Sequence, residues 1–342
     1  MTPAATNDSA PGHRPLRAGL VGFGNIGRMF ARFLQTKRGH ETRLVGACDP
    51  NPEARRMAQD EFGLPASETI DGVLTLRPDL VIIASISSVH AGQVIAAAEA
   101  GCHVLCEKPI ALTLADADRA IGAVERAGVV AQVNYSLRYI EAYRVLRTWV
   151  RDGRFGRILS VSHARTRGFG LYGAGARHPA VVAPDVSGGW TVHHACHGLD
   201  LLYWLNGAFR SISAGTATTA ANGSEEVVQA VVTFANGAIG HVSDSVCGIR
   251  DHYTQIIGSA GSAVLTGERE HTQLRFHAEG AGDDELVAVR DAKDHGVALD
   301  QFFACVREGR PSPDSLADAR PSLAAALAAQ ESARTGWVVS LL

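Results

Sequence analysis

The chain has 342 residues, more than one hydrophobic core ordinarily serves, so two domains are predicted. Apolar residues make up 46% and charged residues 20%, a globular composition, and a net charge of −3 leaves no basic excess for nucleic acid or an anionic membrane. No apolar run approaches the ~20 residues of a membrane span, and six cysteines without a framework spacing read as reduced, mostly buried thiols.

Residues 1–15 are rich in Pro, Ala, Ser and Thr and lack an apolar stretch, which predicts a disordered tail, not a signal peptide, and a cytoplasmic protein. Leu16 to Val21 is apolar apart from Arg17 and reads as a strand. It runs into Gly22-Phe23-Gly24-Asn25-Ile26-Gly27, and a helical stretch follows to Gln35. In a strand–turn–helix of this kind Gly22 permits the tight turn and Gly24 lets the backbone approach a pyrophosphate. Gly27 lets the helix pack closely on the strand. The free N–H groups and positive dipole end of the helix then face the phosphates. A second apolar strand, from Arg43 to Cys48, ends at Asp49, 22 positions after Gly27. That is close to the ~20 expected for the carboxylate that bonds an adenosine ribose.

A helix from Ala54 to Phe62 has Pro52 in its first turn and Gly63 as its stop. Asp79 to Ala84 is a continuous apolar run after its first residue, as a strand buried on both faces requires. Ser85 to His90 leads to a helix over Ala91 to Ala100; His103 to Cys106 is the next strand, with Glu107-Lys108-Pro109 just beyond it. A helix from Thr113 to Ala127 and a strand from Val129 to Asn134 complete the alternation. Such βαβ units predict a doubly wound parallel sheet, whose ligands lie beyond the strand carboxyl ends. Phe23, Asn25, Ile26, Ser85, His90, Glu107 and Lys108 join the glycines and Asp49 there as predicted cofactor-binding residues.

The pattern changes after about Ser136. A helix over Glu141 to Arg151, a strand over Ile158 to Arg165 and a glycine-rich basic loop precede one strong helix, Gly189 to Leu205. Seven strand-like runs follow, with Asn236-Gly237 as a hairpin turn, and helices over Asp294 to Glu308 and Leu316 to Thr335 close the chain. The predicted layout is a cofactor domain over 16–136 and an α+β substrate domain over 137–342, with an open, mainly antiparallel sheet and the site in the crevice between them.

Lys108 follows a strand at the ligand edge, where its ammonium is placed to hold a hydroxyl being oxidised. A surface lysine before a loop is the alternative. Pro109 restricts it to extended backbone. On an α-helix His193, His197, Asp200 and Trp204 fall on one face. Two imidazoles with a carboxylate to fix a tautomer suit proton transfer. Satisfied core histidines are the alternative, as is a metal held by His193 and His197 alone, since the near-consecutive His194 and Cys196 point elsewhere; no metal is assigned. Arg165, Arg167, Arg177 and His178 surround several glycines and suit an anionic substrate group, a solvated loop or a subunit contact. Tyr135 and His194 complete the predicted substrate-binding set.

With these residues in place the chain resembles the Gfo/Idh/MocA family of nicotinamide-dependent oxidoreductases from about Leu16 to its end. The glycine turn, Asp79–Ala84 with His90, Ala100-Gly-Cys-His-Val-Leu-Cys-Glu-Lys-Pro109, and Gly188-Gly189 followed by His197-Gly-Leu-Asp200 carry the resemblance. It implies a Rossmann domain, an open sheet that makes a homodimer or homotetramer, and NAD(P)-linked chemistry on sugars, polyols or related compounds. It also implies that Lys108 holds the reacting hydroxyl and His197 serves as general acid or base. Four positions earlier the family commonly has Asp where this chain has His193, so either histidine is placed to take the proton. Asp49, with no adjacent Arg, looks like an NAD preference. The leading expectation is an NAD-dependent dehydrogenase of a sugar, sugar acid or cyclic polyol. The alternatives are an NAD-recycling glycoside hydrolase, on an anionic sugar for instance, and a non-catalytic NAD sensor.

Overall fold

The computed structural model describes residues 14–37, 42–168, 183–219, 223–267, 272–289 and 295–342. Most of the predicted tail lies outside that set, but Arg14 is pinned, its two Nη atoms each donating to the Asp79 carboxylate at 2.7 Å. The chain forms two compact units, Met1–Ala84 and Ser85–Leu342.

The first unit alternates β1 (Leu16–Val21), α1 (Asn25–Lys37), β2 (Thr42–Cys48), α2 (Pro52–Phe62), β3 (Ala66–Ser67), α3 (Ile70–Leu74) and β4 (Leu80–Ile83). β1 pairs in parallel with β2 and β4, and β2 with β3. All four residues of β4 are buried, the outcome expected of a strand covered on both faces. α2 starts and stops as its sequence dictates: the Asn51 side chain accepts the Glu53 N–H at 2.9 Å, and Gly63 at φ 64° ends the helix.

The second unit continues with α4 (His90–Glu99), β5 (His103–Glu107), α5 (Leu114–Ala127) and β6 (Ala131–Asn134), β5 pairing in parallel with β6. Within the first unit the parallel strands run in the order β3-β2-β1-β4. This is the dinucleotide-binding arrangement, with its reversal between β1 and β4. A 3₁₀ turn, Ser136–Tyr139, then leads to α6 (Glu141–Arg151), β7 (Ile158–Thr166), α7 (Pro184–Ser187), a π-helical turn at Thr191–Ala195 and α8 (Cys196–Asn206).

Six strands follow: β8 (Phe209–Ala217), β9 (Val227–Phe234), β10 (Ile239–Ser245), β11 (Asp251–Gly258), β12 (Gly261–Thr266) and β13 (Gln273–Ala278). Then come β14 (Glu285–Val287), α9 (His295–Glu308), α10 (Leu316–Thr335) and β15 (Val339–Ser340). They build a nine-stranded sheet, β14-β13-β12-β11-β7-β10-β9-β8-β15. It is antiparallel as predicted except at β7–β10, which run parallel because α8, β8 and β9 supply the crossover between them. One face is buried: along β9 Val228, Ala230, Val232 and Phe234 lie inside while Val231 is half exposed. α8 packs closely on that buried face, since a Cβ at Gly198 would lie 2.8 Å from Val242 and 3.0 Å from His163. Among the described residues no helix is long and apolar enough to cross a membrane.

Candidate active site

The three glycines of the first turn sit in three different surroundings. Gly22 adopts φ 86°, a left-handed conformation that disfavours a side chain. A Cβ on Gly27 would lie 2.0 Å from the Gly22 carbonyl oxygen, so α1 could not approach the turn. Around Gly24 nothing lies within 4 Å of an added Cβ. The fold itself does not need glycine there; the space suits a pyrophosphate at the N-terminus of α1. Asp49 ties the turn to the end of β2, its Oδ2 accepting the Phe23 N–H and its Oδ1 the Asn51 N–H, both at 2.8 Å. A carboxylate has about four acceptor sites, so capacity remains for a ribose diol. The Phe23 ring is core, edge-on to Phe62 at 5.3 Å, so only its backbone belongs to the site. Ile26 is exposed beside it, and Asn25 Oδ1 accepts from Arg28 at 2.6 Å.

In the second unit, His90 clamps the turn after β5. Its Nδ1 lies 2.7 Å from the Pro109 carbonyl and its Nε2 3.1 Å from the Ser85 carbonyl. Both ring nitrogens face backbone carbonyls, and the neutral imidazole donates its one N–H to one of them. Burial lowers the His90 pKa, the two carbonyls opposing that shift. Ser85 Oγ donates to Gln93 at 2.6 Å, and Glu107 Oε1 accepts from Asn134 at 2.6 Å across the β5–β6 register. Between these anchors Lys108, joined to Pro109 by a cis bond, sends Nζ to the His193 carbonyl at 2.6 Å. Burial lowers the Lys108 pKa; the Cys196 thiol and Glu107 oppose this, while Arg165 and Arg167 add to it.

The helix that receives Lys108 differs from prediction in two respects. It is not one α-helix: Thr191–Ala195 is wound as a π-turn ahead of α8, which breaks the four-residue phase between His193 and His197. And Asp200 does not orient a histidine. Its carboxylate is taken by Arg138 Nε at 2.9 Å and Nη2 at 2.6 Å, with Ser322 Oγ at 2.8 Å. His193 is partly exposed, its ring edge-on to His194 at 4.9 Å and its Nδ1 without a hydrogen-bond partner. His194 stacks on Trp190 at 4.0 Å. His197 is buried with its ring edge-on to Tyr135, itself buried, at 6.1 Å.

Arg165 is not the anion-gripping cation predicted for it. It is buried on β7, its Nε and Nη2 donating to Asp244 Oδ2 at 3.1 and 2.7 Å, and Nη2 also reaches the His194 carbonyl at 3.1 Å. Trp190 Nε1 takes the other oxygen of Asp244 at 2.9 Å. The ion pair thus braces the start of the histidine helix instead of facing solvent. Arg167, at the end of that strand, donates its backbone N–H to Ser245 at 2.7 Å. His178 and Arg177 lie outside the described residues.

A family profile described as "Oxidoreductase family, NAD-binding Rossmann fold" matches residues 16–135, and the "GFO/IDH/MocA C-terminal domain" matches residues 143–264. The chain is 30% identical over 340 residues to the 1,5-anhydro-D-fructose reductase of Ensifer adhaerens, across 95% of this chain and 98% of that one. It belongs to the Gfo/Idh/MocA family. Myo-inositol 2-dehydrogenase of Thermotoga maritima is another relative, 26% identical over 93% of this chain and 96% of its own length. Among solved structures, the WlbA dehydrogenase from Bordetella pertussis, in complex with NADH and UDP-GlcNAcA, matches with a TM-score of 0.82 at 28% identity, over 96% of this chain and 99% of that one.

As a Gfo/Idh/MocA protein the chain is an oxidoreductase whose cofactor is NAD, and the open space at Gly24 and the acceptor capacity of Asp49 fit that cofactor. Three residues that frame the histidine helix escaped the sequence reading. Glu225 accepts from Trp190 N at 2.8 Å and Thr191 Oγ1 at 3.1 Å, capping the helix from a distant loop. Arg138 and Asp244 hold it by the ion pairs above. Their side-chain hydrogen-bond partners lie 34 to 180 positions away, so no local spacing marks them.

The site makes stability pH-dependent. Burial pushes His193 and His194 well below the ordinary imidazole value, with cationic neighbours adding to it, and His163 likewise. The unfolded chain takes up these protons below about pH 6.5 and the folded one does not, so stability falls as pH drops from there. The slope is about 1.4 kcal/mol per pH unit for each such histidine. Thermal melts between pH 7 and 5 should show Tm falling steadily, and His163→Gln should make that slope shallower; an unchanged Tm across the range contradicts the assignment.

Proposed function

We propose that the protein is an NAD-dependent dehydrogenase acting on a secondary hydroxyl of a sugar, sugar acid or cyclic polyol. The observation that carries the reading is the delivery of the Lys108 ammonium onto the turn that bears the histidines, with Nζ 2.6 Å from the His193 carbonyl. In that position Lys108 exchanges the backbone carbonyl for the substrate oxygen and stabilises the charge that grows on it. His197 accepts the hydroxyl proton, and the partly exposed His193, with Nδ1 unbonded, is the second group able to do so. Tyr135 fixes the His197 ring by its edge. NAD, when bound, supplies the hydride acceptor.

Residues 16–136 serve as the cofactor domain and 137–342 as the substrate domain of a cytoplasmic enzyme. Val231, Ile239, Tyr253 and Ile257 share the open face of the nine-stranded sheet by register and are exposed, which supports a homodimer or homotetramer through that face. The test is incubation of the purified protein with NAD and a panel of sugars, sugar acids and inositols, following NADH absorbance. NADH formed in proportion to product supports the reading. Turnover of chemically distant alcohols alone overturns it, and aglycone release from glycosides without net NADH assigns the elimination chemistry instead.

A further inference from the structure

We propose that Arg138 is a positioning residue for His197, holding α8 by the fork it makes with Asp200 and setting the charge that His197 meets. The inference rests on the proton-transfer reading of His197. Arg138 is buried in the 3₁₀ turn after β6, and its guanidinium meets three carboxylates: Asp200 in the bidentate pair above, Asp314 at 2.8 Å from Nη1, and Asp318. Tyr139 and Gln301 complete the hub by donating to Asp314 Oδ2 at 2.6 Å each. The guanidinium also lies 5.7 Å over the Tyr135 ring, the same ring that meets His197 edge-on.

Two routes therefore lead from Arg138 to His197. One runs through Asp200, three residues further along α8 and hence on the adjoining helical turn. The planar fork fixes the rotation of α8 about its axis, which one point charge would leave free. The other runs through the shared Tyr135 ring. A buried ion hub adds little to stability over apolar packing of the same volume, so orientation is the property it supplies.

The hub is also the carboxylate source nearest along α8. Groups on or beside this stretch of helix include the Cys196 thiol, which burial pushes up to about 12, the Tyr135 phenol, pushed well up by the same cause, His163 across Gly198, and Lys108 with His193 and His194 on the preceding turn. Asp244 is matched by Arg165. One guanidinium against three carboxylates leaves the hub negative, so removing the cation favours the imidazolium and removing Asp200 disfavours it.

The experiment titrates the His197 Cε1–H signal by NMR from pH 5 to 9 in the full-length protein saturated with NAD, assigned by its loss in His197→Asn. Arg138→Met should raise the midpoint by about one pH unit and Asp200→Asn should lower it by a similar amount. Arg138→Lys keeps the charge but not the fork, so it should hold the midpoint while lowering kcat about tenfold at unchanged KM. Should Arg138→Met fail to fold, the downward shift in Asp200→Asn decides alone, since Arg138 there retains Asp314 and Asp318. A midpoint unmoved in the folded variants, or a His197 signal that titrates in none of them, overturns the inference. Full turnover in His197→Ala would instead overturn the proton-transfer reading; an inactive His197→Ala with unmoved midpoints removes only the role of Arg138.

Discussion

Lys108→Met should lower turnover by roughly 10²–10³-fold while changing NAD affinity by no more than a few-fold. Methionine keeps much of the stem and removes the charge, so the change isolates the ammonium. In the structure that ammonium is held at both ends. His90 clamps the backbone of Pro109 and Ser85, and the His193 carbonyl takes Nζ. A group so placed loses little freedom when substrate oxygen replaces the carbonyl, and an oxygen that becomes negative during oxidation gains more from it than a neutral hydroxyl does. Lys108→Arg should not restore the rate, because a planar fork cannot occupy the place of a compact ammonium. NAD affinity is read by quenching of protein fluorescence and turnover by NADH formation. Unchanged kcat in Lys108→Met would remove this residue from the chemistry. A large loss of NAD affinity with kcat preserved would make it a cofactor contact only.

Gly24→Ala and Gly27→Ala should separate cofactor binding from folding. A Cβ at Gly24 meets nothing within 4 Å, so Gly24→Ala should melt within a degree or two of the parent. It should nevertheless bind NAD at least tenfold more weakly, because the methyl group occupies the space a pyrophosphate takes. At Gly27 the Cβ falls 2.0 Å from a backbone oxygen that no rotamer change can move. Gly27→Ala should therefore cost about 1–3 kcal/mol of stability, since α1 must shift away from the turn. Calorimetric titration with NAD and thermal melts of both variants give the two readouts. Equal Tm losses, or a Gly24→Ala protein with parental affinity, would show that the turn is structural.

Local chemistry made much of this molecule legible. The strand–turn–helix around Gly22–Gly27, the all-buried run of β4 and the Asn236-Gly237 hairpin are each decided by residues close together in the chain, and each forms where predicted. The two-residue strands β3 and β15 escaped because a period of two cannot show itself over two residues.

Side-chain pairing was the part that could not be read. Asp200 and Arg165 carry the right chemistry for a tautomer-fixing carboxylate and an anion-binding cation, but each is neutralised by a partner far away in sequence, Arg138 62 positions off and Asp244 79. Likewise the π-turn at Thr191–Ala195 is stabilised by Glu225 and Lys108 from other elements, so a helical wheel drawn from sequence places His193 out of phase. Backbone geometry and apolar patterning act over a few residues and are written in the order of the amino acids. Which charges meet, and which histidine is left with an unbonded nitrogen, depends on where folding brings distant segments together, because a buried ion takes the nearest opposite charge in space whatever its distance along the chain.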